Sequence, residues 1–148
     1  QTSIGGIIDR LDRVQDHAGM RIRVVDYKTS GKKLKTVSSV DDIFSATDPN
    51  SYYLQTFLYS CIVADDQYGK YGKTPVSPAL LYIQFASKSD DPTLYIDKQK
   101  VTDIRQYSEP FMRHIENVAN EIFCPSIDFS HTAIADRCRL CPFAKLCQ

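Results

Sequence analysis

Asp9, Asp26 and Lys28 are the residues of this chain whose types and spacing suggest chemistry. Asp9 closes the run Gly6-Ile7-Ile8-Asp9, and Asp26 and Lys28 stand two residues apart in Val24-Val25-Asp26-Tyr27-Lys28. Both runs read as strands. Side chains alternate along a strand, so Asp26 and Lys28 project from one face. If the two runs pair as neighbours, Asp9 comes beside them. Two carboxylates and an ammonium at one point are the minimal equipment for holding Mg²⁺ and activating water against a phosphodiester. The chemistry implied is the cutting of nucleic acid.

Mg²⁺ (or Mn²⁺) is usually held by one or two carboxylates together with waters and phosphate oxygens. Asp9 and Asp26 would supply the carboxylates, and the backbone carbonyl of Tyr27 between them is the candidate third oxygen. Lys28 is placed to orient or deprotonate the attacking water, or to stabilise charge on the scissile phosphate. Gly5 and Gly6 leave room for a substrate backbone. Taken alone, Asp-x-Lys is more often a surface ion pair than a catalytic one. Asp12 competes with Asp9 as a ligand but has the opposite strand parity, which otherwise gives it a solvent-facing or Arg-paired role.

The elements that must position these groups follow from the pattern. Residues 4–14 and 21–29 read as two strands joined by the polar turn Gln15-Asp16-His17-Ala18-Gly19, a hairpin. Residues 30–47 read as a polar loop. Asp48-Pro49 reads as N-cap and first helical residue. The helix, 50 to about 65, carries Leu54, Phe57, Leu58, Cys61 and Ile62 at helical spacing. Pro78 to Phe85 is a nearly continuous apolar run, as in a buried strand, and a further short strand is expected around 94–96. From 101 to 122, Ile104, Tyr107, Phe111, Ile115, Val118 and Ile122 mark one face of an amphipathic helix. Pro110 within it predicts a kink or restart near Ser108. Strand, strand, helix, strand, helix is the order of a mixed α/β domain.

At 148 residues the chain is expected to form a single domain. Lys+Arg and Asp+Glu are both 18, so overall charge gives no support for a nucleic-acid partner. Basic residues must act locally, as in the cluster Lys28, Lys32, Lys33 and Lys35. No apolar run approaches a membrane span and no secretory signal is visible. The odd cysteine count, 5, disfavours a processed secreted protein, so a cytoplasmic location without a membrane partner is expected. The opening on Gln1 reads as a piece of a longer polypeptide.

Gln55 and Tyr59 stand one turn apart on the helix after the loop, hence on one face. Periodicity alone makes Tyr59 core and Gln55 a boundary residue. Together, however, Gly-x-Ile-Asp, then Asp-Tyr-Lys-Thr, then Gln-x-x-x-Tyr resembles the PD-(D/E)XK nuclease superfamily in its RecB-like branch, over roughly residues 4–62. The resemblance implies a restriction-endonuclease-like mixed β-sheet flanked by helices. It implies Asp9, Asp26 and Lys28 as the catalytic set, with Gln55 and Tyr59 helping to bind DNA. Members of that family commonly carry a further Glu or His upstream of the first strand. None precedes Asp9 here, so the resemblance implies that this stretch alone lacks one element of the family's site.

Residues 124–148 form a Cys-rich C-terminal segment, with Cys138, Cys141 and Cys147 in a C-x₂-C-x₅-C spacing that can wrap one metal centre. Zinc and a disulfide are the alternatives. Cys124 makes a poor fourth ligand, Cys61 reads as a buried helix residue, and His17, His114 and His131 have no partner spacing. The cysteines resemble the C-terminal part of the iron–sulfur motif of AddB-type nuclease domains. That resemblance implies a [4Fe–4S] cluster in the full-length protein, completed by a far-upstream cysteine. It also implies DNA double-strand-break processing beside a helicase subunit, or helicase domains of the same longer chain. Mg²⁺-dependent exonuclease action on single strands, leaving a 5′-phosphate, belongs to the same implication. The alternative is a non-catalytic DNA-binding structural module of such a complex.

Overall fold

The structure is a computed structural model and describes residues 3–17, 19–29, 36–45, 50–65, 72–86, 91–130, 132, 134–139 and 141–146. Two compact units divide the chain, 1–114 and 115–148. The first holds a mixed sheet in the order β1 (Arg10–Asp16), β2 (Gly19–Lys28), β3 (Val76–Tyr82). Pairing is antiparallel between β1 and β2 and parallel between β2 and β3. With helices beside this sheet, the architecture is the mixed α/β fold of restriction-endonuclease-like proteins.

The hairpin forms as expected, but its first strand begins later. Residues 3–8 have no regular structure and Asp9 is a bend just before β1. Gly19 opens β2 at φ +99, a conformation side chains with a Cβ resist. Central β2 is buried on both faces: Val24, Val25 and Ile22 are core residues. Pro78 sits inside β3 without damaging the ladder. Its carbonyl accepts from Leu94 N at 2.9 Å, so its missing N–H falls on the side away from β2. There, among the described residues, the short bridge Ala79↔Thr93 continues the sheet.

Helix α1 (Ser51–Ala64) is capped by Asn50, whose side chain accepts from Tyr53 N at 3.3 Å. This corrects the expected Asp48 cap; Asp48 and Pro49 themselves lie outside the described residues. The buried face also differs from the apolar spacing. Tyr53, Thr56, Phe57, Ser60, Cys61 and Val63 are buried, whereas Ile62 is exposed and Leu54 and Leu58 only half-buried. Thr56 and Ser60 can go inside because each hydroxyl donates to the carbonyl four residues back, at 2.8 Å.

A second hairpin, β4 (Tyr95–Ile96) and β5 (Gln99–Lys100), turns through Asp97 and Lys98, at φ 46 and φ 62. Helix α2 (Arg105–Phe123) runs through Pro110 without a break, correcting the expected restart near Ser108. Pro110 falls in the second turn, where only the bond to the Gln106 carbonyl is forfeited. The start is held by Asp103, whose carboxylate accepts from Arg105 N at 3.2 Å. Ile104 and Phe111, in the first unit, and Ile115, in the second, are buried, while Val118 and Ile122 are exposed.

Candidate active site

The C-terminal end of β2 carries Asp26, Tyr27 and Lys28. Asp26 is 4% exposed, and so deep a carboxylate needs a partner to remain ionised. Lys28 Nζ lies 2.5 Å from its Oδ2, an ion pair made possible by their shared face. The contact is poorly aligned, and Oδ2 has no directed hydrogen bond. Lys28 Nζ donates instead to Gln55 Oε1 at 3.0 Å and stands 4.5 Å from the ring centroid of Tyr52.

Asp9 lies in the bend just before β1, next to Arg10, which the ladder pairs with Val25. Asp9 Oδ2 accepts from Tyr27 N at 2.8 Å, which ties the first acid to the residue between the other two candidate groups. A strand residue directs its N–H and C=O to the same edge, so the Tyr27 carbonyl also faces the Asp9 side. Asp9 is exposed, so the site has a buried wall, Asp26, and an open one.

Asp12 takes the alternative role set out for it. It pairs with Arg10 at 2.7 Å and Arg23 at 3.1 Å, on the opposite face of the sheet. Burial opposes its ionisation, but the two arginines outweigh it and hold its carboxyl below the ordinary value. It is committed to those partners and points away from Asp26.

Gln55 and Tyr59 lie on one face of α1, both half-buried. Gln55 binds Lys28. Tyr59 packs on Gly6: a Cβ there would fall 2.7 Å from its Cζ and closer still to its hydroxyl oxygen. The room expected at Gly6 for a substrate backbone is therefore filled by Tyr59, which corrects that expectation. At Gly5 nothing lies within 4 Å of such a Cβ.

Sequence reasoning missed two aromatic residues. Tyr52 covers the Lys28 ammonium, and Tyr82, the β3 partner of Lys28, meets Tyr52 edge-on with centroids 6.5 Å apart. Burial first, then Tyr52 and the Asp26 charge, raise the Tyr82 phenol above its usual range. The signal for Tyr52 was present, since Tyr52, Gln55 and Tyr59 are spaced three and four apart. Nothing in the sequence indicated the β2–β3 register that brings Tyr82 in. His114 was also passed over: it contacts Asp41 at 2.6 Å and stacks on Phe44, fastening a single turn of 3-10 helix (Asp41–Phe44) to α2.

The donor set fits a divalent cation of the Mg²⁺ kind: two carboxylates and a carbonyl, all hard oxygens, with one buried carboxylate oxygen lacking a directed hydrogen bond. Among the described residues no group of three or more His, Cys, Asp or Glu stands together, and two carboxylates are enough for such an ion. Cys138 and Cys141 occupy one turn in the second unit, Cys141 N donating to the Cys138 carbonyl at 3.2 Å. Cys147 lies outside the described residues, as do Lys32, Lys33, Lys35 and His131. No helix among the described residues is long and apolar enough to cross a membrane.

A family model described as the PD-(D/E)XK nuclease superfamily matches residues 2–148. Neither a curated protein nor a solved structure gives a significant match.

Proposed function

Because this chain belongs to the PD-(D/E)XK nuclease superfamily, we propose that Asp9, Asp26 and Lys28 form its hydrolytic site and that DNA is its substrate. The observation that carries the reading is the hydrogen bond from Tyr27 N to Asp9 beside the Asp26–Lys28 pair. It gathers both acids and the ammonium at one strand end. Asp9, Asp26 and the Tyr27 carbonyl would hold Mg²⁺ or Mn²⁺. Such a cation supplies Lewis-acid polarisation of a phosphoryl oxygen.

The chain's own groups divide the remaining work. Asp26, buried and paired with Lys28, fixes where positive charge can sit. Asp9 keeps one carboxylate oxygen on the Tyr27 amide, which orients the other. Lys28 carries the mobile protons: its ammonium can hold the attacking water or offset charge growing on the scissile phosphate. Gln55 keeps Lys28 in reach. Gln55 and Tyr59 are assigned to DNA contact at the same edge.

The finer reading places the whole stretch 1–148 as a single nuclease domain of the RecB-like branch, similar to AddB-type subunits. It would work in the cytoplasm beside helicase domains, as an exonuclease on single strands at double-strand breaks. Cys138, Cys141 and Cys147 are assigned to a [4Fe–4S] cluster or to zinc on their spacing, and iron and zinc content of the purified protein decides between them.

The test is cleavage of end-labelled single-stranded and duplex DNA by the chain with Mg²⁺ or Mn²⁺. Parallel Mn²⁺ titrations use Asp9→Ala and Asp26→Ala. Cation-dependent cleavage is expected, stopped by chelation and reduced about 100-fold or more by Asp26→Ala or Lys28→Ala. DNA binding is expected to persist in these variants. Binding by the wild type without cleavage, unchanged by Asp26→Ala, would instead identify a non-catalytic DNA-binding module.

A further inference from the structure

We propose that Tyr52 is a positioning residue that seats the Lys28 ammonium, an inference resting on the hydrolytic reading of Asp9, Asp26 and Lys28. A lysine ammonium has three N–H donors on a flexible four-carbon stem. Here it meets Asp26 Oδ2 at 2.5 Å and Gln55 Oε1 at 3.0 Å. The Tyr52 ring, with its centroid at 4.5 Å, covers the ammonium from another side. An aromatic face carries negative potential and attracts a cation, more strongly where water is displaced. Lys28 is only 14% exposed at its side chain, so water competes weakly.

The arrangement matters for a reaction because Asp26 has two tasks. Whenever that carboxylate is engaged by another cation, it holds the ammonium less tightly. Gln55 and Tyr52 then keep Lys28 in place. Both reach it from one turn of α1, three residues apart. The helix beneath them is fixed by buried Tyr53, Thr56 and Phe57. Tyr82 braces the ring: its edge contact with Tyr52, at 63° between planes, limits the ring's swing. The seat is therefore assembled from α1, β2 and β3, and its aromatic part carries no charge that could compete for the cation.

The experiment reads the contact and the reaction separately, on the whole chain. With lysine labelled at Cε, the Lys28 resonance is identified by its loss in Lys28→Arg. Ring-current shielding is expected to move its Cε protons upfield in the wild type and in Tyr52→Phe. They are expected to return to the position of exposed lysines in Tyr52→Leu. A Lys28 resonance that Tyr52→Leu leaves unmoved in folded protein overturns the proposal, whether or not the chain cuts DNA. If Tyr52→Leu does not fold, Tyr52→Gln removes the ring and is read in the same way.

In the cleavage assay kcat is expected to fall about 3- to 30-fold in Tyr52→Leu, with KM within about twofold, and to recover in Tyr52→Phe. Full kcat in Tyr52→Leu, or equal losses in the Phe and Leu variants, also overturns it. Asp26→Ala serves as the control on the underlying reading. Undiminished cleavage by that variant defeats the hydrolytic site, while the resonance still decides the Tyr52–Lys28 contact.

Discussion

At Gly6 a single missing Cβ lets the Tyr59 ring lie against the segment that leads into Asp9. Gly6→Ala must push that ring away or shift the segment, since the added carbon would sit 2.7 Å from Cζ and 2.8 Å from Cε1. We expect cleavage to fall about tenfold or more with the fold intact, because small misplacements of catalytic groups are costly; rates and far-ultraviolet dichroism check this together. Two cysteines differ as sharply at this scale. Burial, with Asp65 nearby, pushes the Cys61 thiol up to about 12. The Ser126 hydroxyl bonds Cys124 and lowers its thiol below the usual value. Alkylation at pH 8, followed by mass spectrometry, should label Cys124 in native protein and spare Cys61 until unfolding. Strand parity alone made Asp26 and Lys28 legible as partners. The Gly6–Tyr59 contact was not legible, because it joins residues far apart in the chain through shape alone.

Elements show where local rules were followed and where packing overrode them. The β4–β5 turn places Lys98 at φ 62, which costs a residue with a Cβ about 1 kcal/mol or more. Lys98→Gly should therefore raise stability by about 1 kcal/mol, read as a higher midpoint in urea, less whatever glycine adds to unfolded-chain entropy. Pro110 survives inside α2 because neighbouring Phe111 is buried and anchors the turn. The lost backbone bond remains a cost, so Pro110→Ala should also stabilise, by up to about 3 kcal/mol. In α1 the apolar spacing identified Phe57 and Cys61 as buried but not Thr56 and Ser60. A hydroxyl that bonds its own helix backbone looks polar in sequence and behaves as small and satisfied in the core. Helix existence was readable from periodicity; its exact rotation against β2 and β3 was not.

Across the first unit, an ion-pair network covers the sheet face opposite the candidate site. Buried Arg21, 2% exposed, meets Asp16 at 2.5 Å and Asp91 at 3.8 Å. Asp91 also pairs with Arg23 and Lys100. Burial works against ionisation of Asp91, but hydrogen bonds from Thr93 and Lys100 outweigh it and hold its carboxyl well below the ordinary range. Asp12 is depressed in the same sense by Arg10 and Arg23. Folded carboxyls of this kind bind fewer protons than unfolded ones near their usual value of about 4. Their stabilisation is thus present above that pH and lost as the pH falls through the depressed values. Asp91→Asn should cost about 1 kcal/mol at pH 7, allowing for solvent screening. It should also flatten the fall in stability below about pH 4, the wild type and variant converging in strong acid; urea titrations at pH 7 and pH 3 check both.

The sequence by itself determined the order of the long strands and helices, the first hairpin, the shared face of Asp26 and Lys28 and the family motifs, because these depend on periodicities of two and 3.6 residues and on short spacings. Only the tertiary structure decided that Asp9 reaches the Tyr27 amide from outside its strand. It alone placed Asp12 with Arg10 and Arg23, and Tyr52 and Tyr82 around Lys28. Those outcomes depend on strand register and on the rotation of α1 against β2 and β3. Both are fixed by long-range packing among side chains that no local spacing encodes.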